Sequence, residues 1–263
     1  MHNILVTIVE KKKKDIEEQK KLKPLEVIKN EVFQLKTKSK KNLFFNSFSK
    51  NKKEISLIAE IKFASPTNSH LGSHDELLER AIKYEKAGAD VISLITEKYY
   101  FKGDGAFISQ AKKHVAIPVL QKDFVIDPYQ IYEAKQFGSD ALLLIARLVE
   151  GDTLKEFVKL CLSLEIEPVV EINSQEDLKK ASETEANIIA VNARDLETFD
   201  IDVEKACVLI EKIPTTFIKL GFSGISSSTQ VLQFEKSGVD GVLVGTSLMR
   251  TDNIDGFIKS LKI

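Results

Sequence analysis

A chain of 263 residues with 43% hydrophobic and 29% charged side chains has an ordinary globular composition, long enough for one large α/β domain or two small ones. Its two cysteines, Cys161 and Cys207, form no CxxC pair, and no ligand spacing joins His2, His70, His74 or His114 to a cysteine or carboxylate cluster. A disulfide framework and a metal are therefore not expected, and a reducing cytoplasm is. The net charge of −1 hides an asymmetry: residues 1–54 carry fifteen lysines against seven acidic residues, about +8, which leaves about −9 for the rest.

The opening run Ile4–Val9 is too short to span a bilayer, and its lysines follow it, the wrong order for a secretory signal. The basic arm could address nucleic acid, but Asp15, Glu17 and Glu18 interrupt it and no nucleic-acid fingerprint accompanies it. A solvated amphipathic helix explains it better. Ile4, Leu5, Ile8, Ile16, Leu25, Ile28 and Val32 recur at roughly helical spacing, broken by Pro24. This predicts two helices to about Leu35, then a lysine- and asparagine-rich connection to about Lys53, so residues 1–54 form an appendage and 55–263 a second unit.

From Ile55 the rhythm changes to short apolar runs alternating with amphipathic stretches of ten to fifteen residues. The strand candidates are Ser56–Ile61, Val91–Ile95, Val119–Gln121, Ala141–Ile145, Pro168–Ile172, Ile188–Asn192, Phe217–Gly221 and Gly241–Gly245. Eight βα units in succession predict an α/β fold, a (β/α)8 TIM barrel. An open doubly wound sheet is the alternative, although the Gly-rich turn usual after its first strand is missing. A weak internal repeat, Ala87-Gly88-Ala89-Asp90, Phe137-Gly138-Ser139-Asp140 and Ser237-Gly238-Val239-Asp240, closes a helix with glycine and opens the next strand. Ser73-His74-Asp75-Glu76, Asp127-Pro128 and Asn173-Ser174-Gln175-Glu176 carry helix-start signals.

The candidate chemistry sits where strands end, because side chains two apart share a face and the inward face at the carboxyl end of a barrel is its active-site floor. Glu60-x-Lys62, Lys122-x-Phe124, Glu171-x-Asn173 and Asn192-x-Arg194 fall in phase there. The seventh and eighth strands end instead in Ser223-Gly224-Ile225 and Gly245-Thr246-Ser247. Small residues let backbone N–H groups approach an anion, and this pair of loops commonly holds phosphate.

Several stretches in order resemble the indole-3-glycerol-phosphate synthase family of tryptophan biosynthesis: IAEIKFASP (58–66), SLITEKYYFKG (93–103), PVLQKDFVIDPYQIYEA (118–134), DALLLI (140–145), VEIN (170–173), VNARDLETF (191–199), SGI (223–225) and LVGTSLM (243–249). The N-terminal segment likewise resembles that family's helical extension, which packs over the barrel mouth. The resemblance implies a cytoplasmic carboxy-lyase without cofactor. Its substrate is an anionic small molecule, with no nucleic acid or membrane, and contacts with other enzymes of the pathway are compatible with it. By motif, Lys122 resembles the general acid and Glu171 the general base; Glu60, Lys62, Asn192 and Arg194 match orienting residues. Ser65 and Phe124 match substrate-binding positions, while Ser223, Gly224, Gly245 and Thr246 fall on the phosphate loops. Another phosphate-binding barrel, such as a sugar-phosphate isomerase, and a non-catalytic binding barrel are the rival readings.

The sequence departs from the family pattern at Phe222, where the resemblance leads one to expect glutamate before Ser-Gly; Gln121 and Thr246 are milder differences. Phe222 is expected to point toward the barrel mouth beside the aromatic half of the substrate, and its lack of charge to favour neutral lysines. A proton-donating Lys122 is expected to have its pKa lowered by burial or by Lys62.

Overall fold

Strands buried on both faces need apolar residues at nearly every position, and the eight runs supply them. They are β1 (Ser56–Ile61), β2 (Val91–Ile95), β3 (Val119–Lys122), β4 (Ala141–Ile145), β5 (Glu167–Ile172), β6 (Ile188–Asn192), β7 (Ile218–Phe222) and β8 (Gly241–Val244). In the computed structural model, which describes residues 4–35, 42–48 and 54–262, they form a closed, all-parallel barrel in chain order. The pairing of Ser56 with Gly241 and of Ile58 with Val91 joins β1 to β8 and β2, which settles the question of an open sheet. The largest boundary shift is in β7, displaced one residue toward the C-terminus because Phe222 pairs with Asn192 and Leu243.

Helices fill the intervals: α1 (Ile4–Leu22), α2 (Leu25–Gln34), α3 (Leu43–Asn46), α4 (Leu77–Lys86), α5 (Ala106–Lys112), α6 (Pro128–Phe137), α7 (Gly151–Ser163), α8 (Gln175–Ser182), α9 (Val203–Glu211), α10 (Ser228–Lys236), α11 (Thr246–Arg250) and α12 (Ile254–Leu261). Asp127 caps α6 by accepting from Tyr129 N at 2.9 Å, with Pro128 in the first helical position, and Ser174 caps α8 by accepting from Asp177 N. None of these helices is long and apolar enough to cross a membrane.

The repeated Gly-x-Asp has a mechanical reason. Gly88, Gly138 and Gly238 take positive φ to end their helices. The aspartates two residues later accept from the backbone of a neighbouring strand: Asp90 from Leu57 N at 2.9 Å, Asp140 from Val119 N at 2.7 Å and Asp240 from Lys219 N at 2.8 Å. Each carboxylate thus latches two strands together at the end opposite the mouth.

The core divides by the strand period of two. Leu57, Ala59 and Ile61 face outward into a shell shared with the helices, whereas Ile58, Leu120, Leu143, Val169, Ala190, Leu220 and Phe222 fill the barrel interior. The N-terminal segment closes that interior at both ends. Leu5 and Ile8 of α1 join it at the mouth, and Phe44 and Phe48 join it near the strand starts, where Phe48 packs on Gly241. The described part of the segment thus meets the barrel interior from the strand starts as well as from the mouth. Part of the basic arm is matched within the chain: Lys12 pairs with Asp123 and Lys20 with Asp127, each at 2.6 Å. Tyr99 Oη also donates to Asp15 at 2.6 Å, and Lys11 lies over the Tyr99 and Tyr100 rings. Residues 36–41 and 49–53, most of the expected lysine- and asparagine-rich connection, lie outside the described residues, as does His2.

Candidate active site

Followed toward the carboxyl ends of the strands, the inward series changes from apolar to polar: Ile58, Glu60, Lys62; Leu120, Lys122, Phe124; Val169, Glu171; Ala190, Asn192, Arg194. These series end in a cavity of about 440 Å³ at the mouth, a size suited to a small-molecule ligand. The residues that the family resemblance assigns to the site all line it: Glu60, Lys62, Ser65, Lys122, Phe124, Glu171, Asn192, Arg194, Ser223, Gly224, Gly245 and Thr246. Asn173, in phase by sequence, instead turns to β6 and donates to Asn192 O at 2.7 Å, fixing a wall residue from behind.

Glu60 lies between the two lysines, 2.7 Å from Lys62 Nζ and 3.1 Å from Lys122 Nζ, and is almost wholly buried. Burial pushes its carboxyl up, but Lys122 and Lys62 together outweigh burial and pull it down to about 2. Glu171 fares differently. Burial raises its pKa, and neither Lys122 nor the hydrogen bond from Asn192 Nδ2 at 3.1 Å reverses this. Among the described residues that line the cavity, its Oε2 is the buried side-chain oxygen without a hydrogen-bond partner.

The lysines diverge. Burial lowers both, yet for Lys122 the attraction of Glu60 and Glu171 wins and its pKa rises. For Lys62 burial wins over Glu60, with Lys122 and Arg194 adding repulsion, and its pKa falls. The expected lowering of Lys122 is therefore overturned: two carboxylates face it, and Phe222 does not deprive it of negative neighbours. Phe222, expected to point toward the mouth beside the substrate, instead packs in the barrel interior outside the cavity lining, so it offers the substrate no ring contact.

The two small-residue loops meet through Ser247, whose Oγ donates to Ile225 O at 2.9 Å. Ser223 and Gly224 both adopt positive φ, and a Cβ on Gly224 would collide with Val203 and Ile201. Gly245 is demanded by Glu60: a Cβ there would overlap the Glu60 carboxylate and crowd Lys62 Nζ. Gly245→Ala is thus expected to displace Glu60 from its lysines and lower kcat/KM by on the order of 10²-fold, with the barrel still folded. Steady-state kinetics beside a circular-dichroism melt check this.

The sequence reading passed over the apolar wall. Leu5, Ile8, Ile95, Phe101, Leu196 and Leu243 complete the cavity, and the Phe101 and Phe124 ring centroids lie 6.3 Å apart. Glu97 aims this loop by accepting from the backbone N–H groups of Tyr99, Tyr100 and Phe101. The signal was the SLITEKYYFKG stretch, whose aromatics carried no assigned role.

Residues 5–261 match the family model described as indole-3-glycerol phosphate synthase. The chain belongs to the indole-3-glycerol phosphate synthase family. Among similar family members, the indole-3-glycerol phosphate synthase of Caldanaerobacter subterraneus subsp. tengcongensis is 41% identical over 98% of this chain and 99% of its own length. That of Thermoanaerobacter pseudethanolicus is 38% identical over 98% of both chains. Beyond the family, the solved 3-hexulose-6-phosphate synthase of Salmonella typhimurium superposes with a TM-score of 0.64 at 15% identity, covering 79% of this chain and 96% of its own. That likeness is one of fold. The family match, by contrast, takes in α1 as well as the barrel.

Proposed function

We propose that this cavity closes the indole ring of 1-(o-carboxyphenylamino)-1-deoxyribulose 5-phosphate, releasing carbon dioxide and water and leaving indole-3-glycerol phosphate. The observation that supports it best is the meeting, in one half-apolar cavity, of a lysine pair bridged by Glu60 and a Glu171 oxygen with no partner. In the first step the aryl carbon bearing the carboxylate attacks the ketone carbon, and Lys122 protonates the ketone oxygen as it becomes a hydroxyl. Loss of carbon dioxide restores the aromatic ring. The hydroxyl then leaves as water with a second proton, and Glu171 takes a proton from the ring CH2 to complete the indole.

Lys62 suits the second donation, because its lowered pKa makes it the readier acid of the two lysines. Glu60, Asn192 and Arg194 orient donors and substrate, and Ser65 and Phe124 bind it. Phosphate lies against the backbone of Ser223, Gly224, Gly245 and Thr246. Residues 1–54 serve as a cover for the catalytic barrel of 55–263, and the enzyme works in the cytoplasm. Mixing the purified protein with the carboxyphenylamino substrate should produce indole fluorescence, and inorganic phosphate should slow it competitively. An absence of product overturns the reaction; product formation indifferent to phosphate moves the phosphate away from these loops.

A further inference from the structure

Lys122 has a neighbour that the reaction leaves idle. Phe222 is fully buried in the barrel interior, and its ring centroid lies 5.2 Å from Lys122 Nζ. Among the described residues, the one hydrogen bond of the ammonium goes to Glu60 on β1. The other charges that act on it are Glu171 from β5, Arg194 beyond β6 and Lys62 beyond β1. From β7 the ring of Phe222 faces it. β7 cannot readily shift that ring, since Phe222 is paired on both edges, to Asn192 and to Leu243.

An aromatic face carries negative potential, and a desolvated cation within about 6 Å of the centroid is held by it far more strongly than at an exposed site. A leucine would fill much of the same volume without that field. We propose that Phe222 is a positioning residue for Lys122, its ring seating the ammonium from below where the family pattern leads one to expect a carboxylate. The ring thereby supplies part of a missing anion's attraction without adding a group that takes up protons. This inference rests on the reading of Lys122 as proton donor for its catalytic meaning, but not for the contact itself.

The test must drain the ring of its field while keeping its shape. Phe222 is replaced by its 4-fluoro, 3,5-difluoro and 3,4,5-trifluoro analogues, with Phe222→Leu as a ring-free variant. Only a neutral amine is nucleophilic, so trace acetic anhydride at pH 9 labels each lysine in proportion to its neutral fraction. Labelling of Lys122, read by mass spectrometry against exposed Lys83, is expected to rise stepwise across the fluorinated series, by about three- to thirty-fold in all. Melting temperatures along that series should fall by only about a few °C, the loss that the weaker hold on the charged form itself entails, with the transition still cooperative. A flat labelling series overturns the proposal and leaves Phe222 a packing residue, whatever the leucine variant does. Turnover of Lys122→Ala is measured alongside. Normal turnover there removes the donor reading, while a graded labelling series still upholds the seat.

Discussion

Lys122→Ala is expected to lower kcat by roughly 10²-fold or more while leaving KM largely intact, the mark of a group that acts on the transition state. The geometry makes the loss specific. Lys122 stands between Glu60 and Glu171, and the attraction of these two carboxylates outweighs burial, so it remains protonated well into alkaline solution. A reservoir of that kind is full at every working pH and weakly acidic. It donates when the ketone oxygen gains charge beside it. The descending alkaline limb of the wild-type profile should accordingly belong to Lys62, whose pKa lies below the ordinary lysine value. The alanine variant should also move the acid limb to higher pH, because Lys122 is the first of the groups holding the pKa of Glu171 down. Near-normal turnover, or an acid limb that stays in place, would detach Lys122 from the chemistry.

How far the sequence carried these conclusions differs from residue to residue. The barrel was legible because strands buried on both faces cannot hide their apolar runs, and because glycine at three of the helix ends marks the return to the sheet. The wall at the mouth was legible for the same reason that a strand has a period of two: Glu60, Lys122, Glu171 and Asn192 each follow an interior apolar residue by two places. Asn173 obeyed that rule on paper and failed in space, since β5 ends at Ile172 and the next residue is drawn by Asp177 N-terminal capping contacts toward α8. What periodicity cannot give is the balance of charges. Whether a buried lysine rises or falls depends on which carboxylates close over it in three dimensions, and Lys62 and Lys122, alike in sequence, separate on that account. The role of Phe44 and Phe48 was equally hidden. Nothing local says that two phenylalanines of a basic arm should plug the far end of a barrel.

Glu171→Gln is expected to lower kcat by about 10²- to 10⁴-fold and at the same time to make the protein more heat-stable at neutral pH. Burial raises the Glu171 pKa above its ordinary value, so the folded chain holds this proton more tightly than the unfolded chain does. The stability contributed is full below the unfolded value and is lost as pH rises through the folded one. Above the folded value the ionised carboxylate is therefore a cost to the fold, retained for its use as a base. Glutamine keeps the shape and can still accept from Asn192 Nδ2 through Oε1, while its amide cannot take up a proton. A rise in Tm of about 2–4 °C near pH 7 is the scale to look for, shrinking toward acid where glutamate itself is neutral. Melts from pH 4.5 to 8.5, paired with turnover, read both halves of the exchange. Loss of activity with a Tm gain that is the same at every pH would mean that better packing, not the removed charge, stabilises the variant. Retained activity would mean that another group takes the proton from the ring CH2.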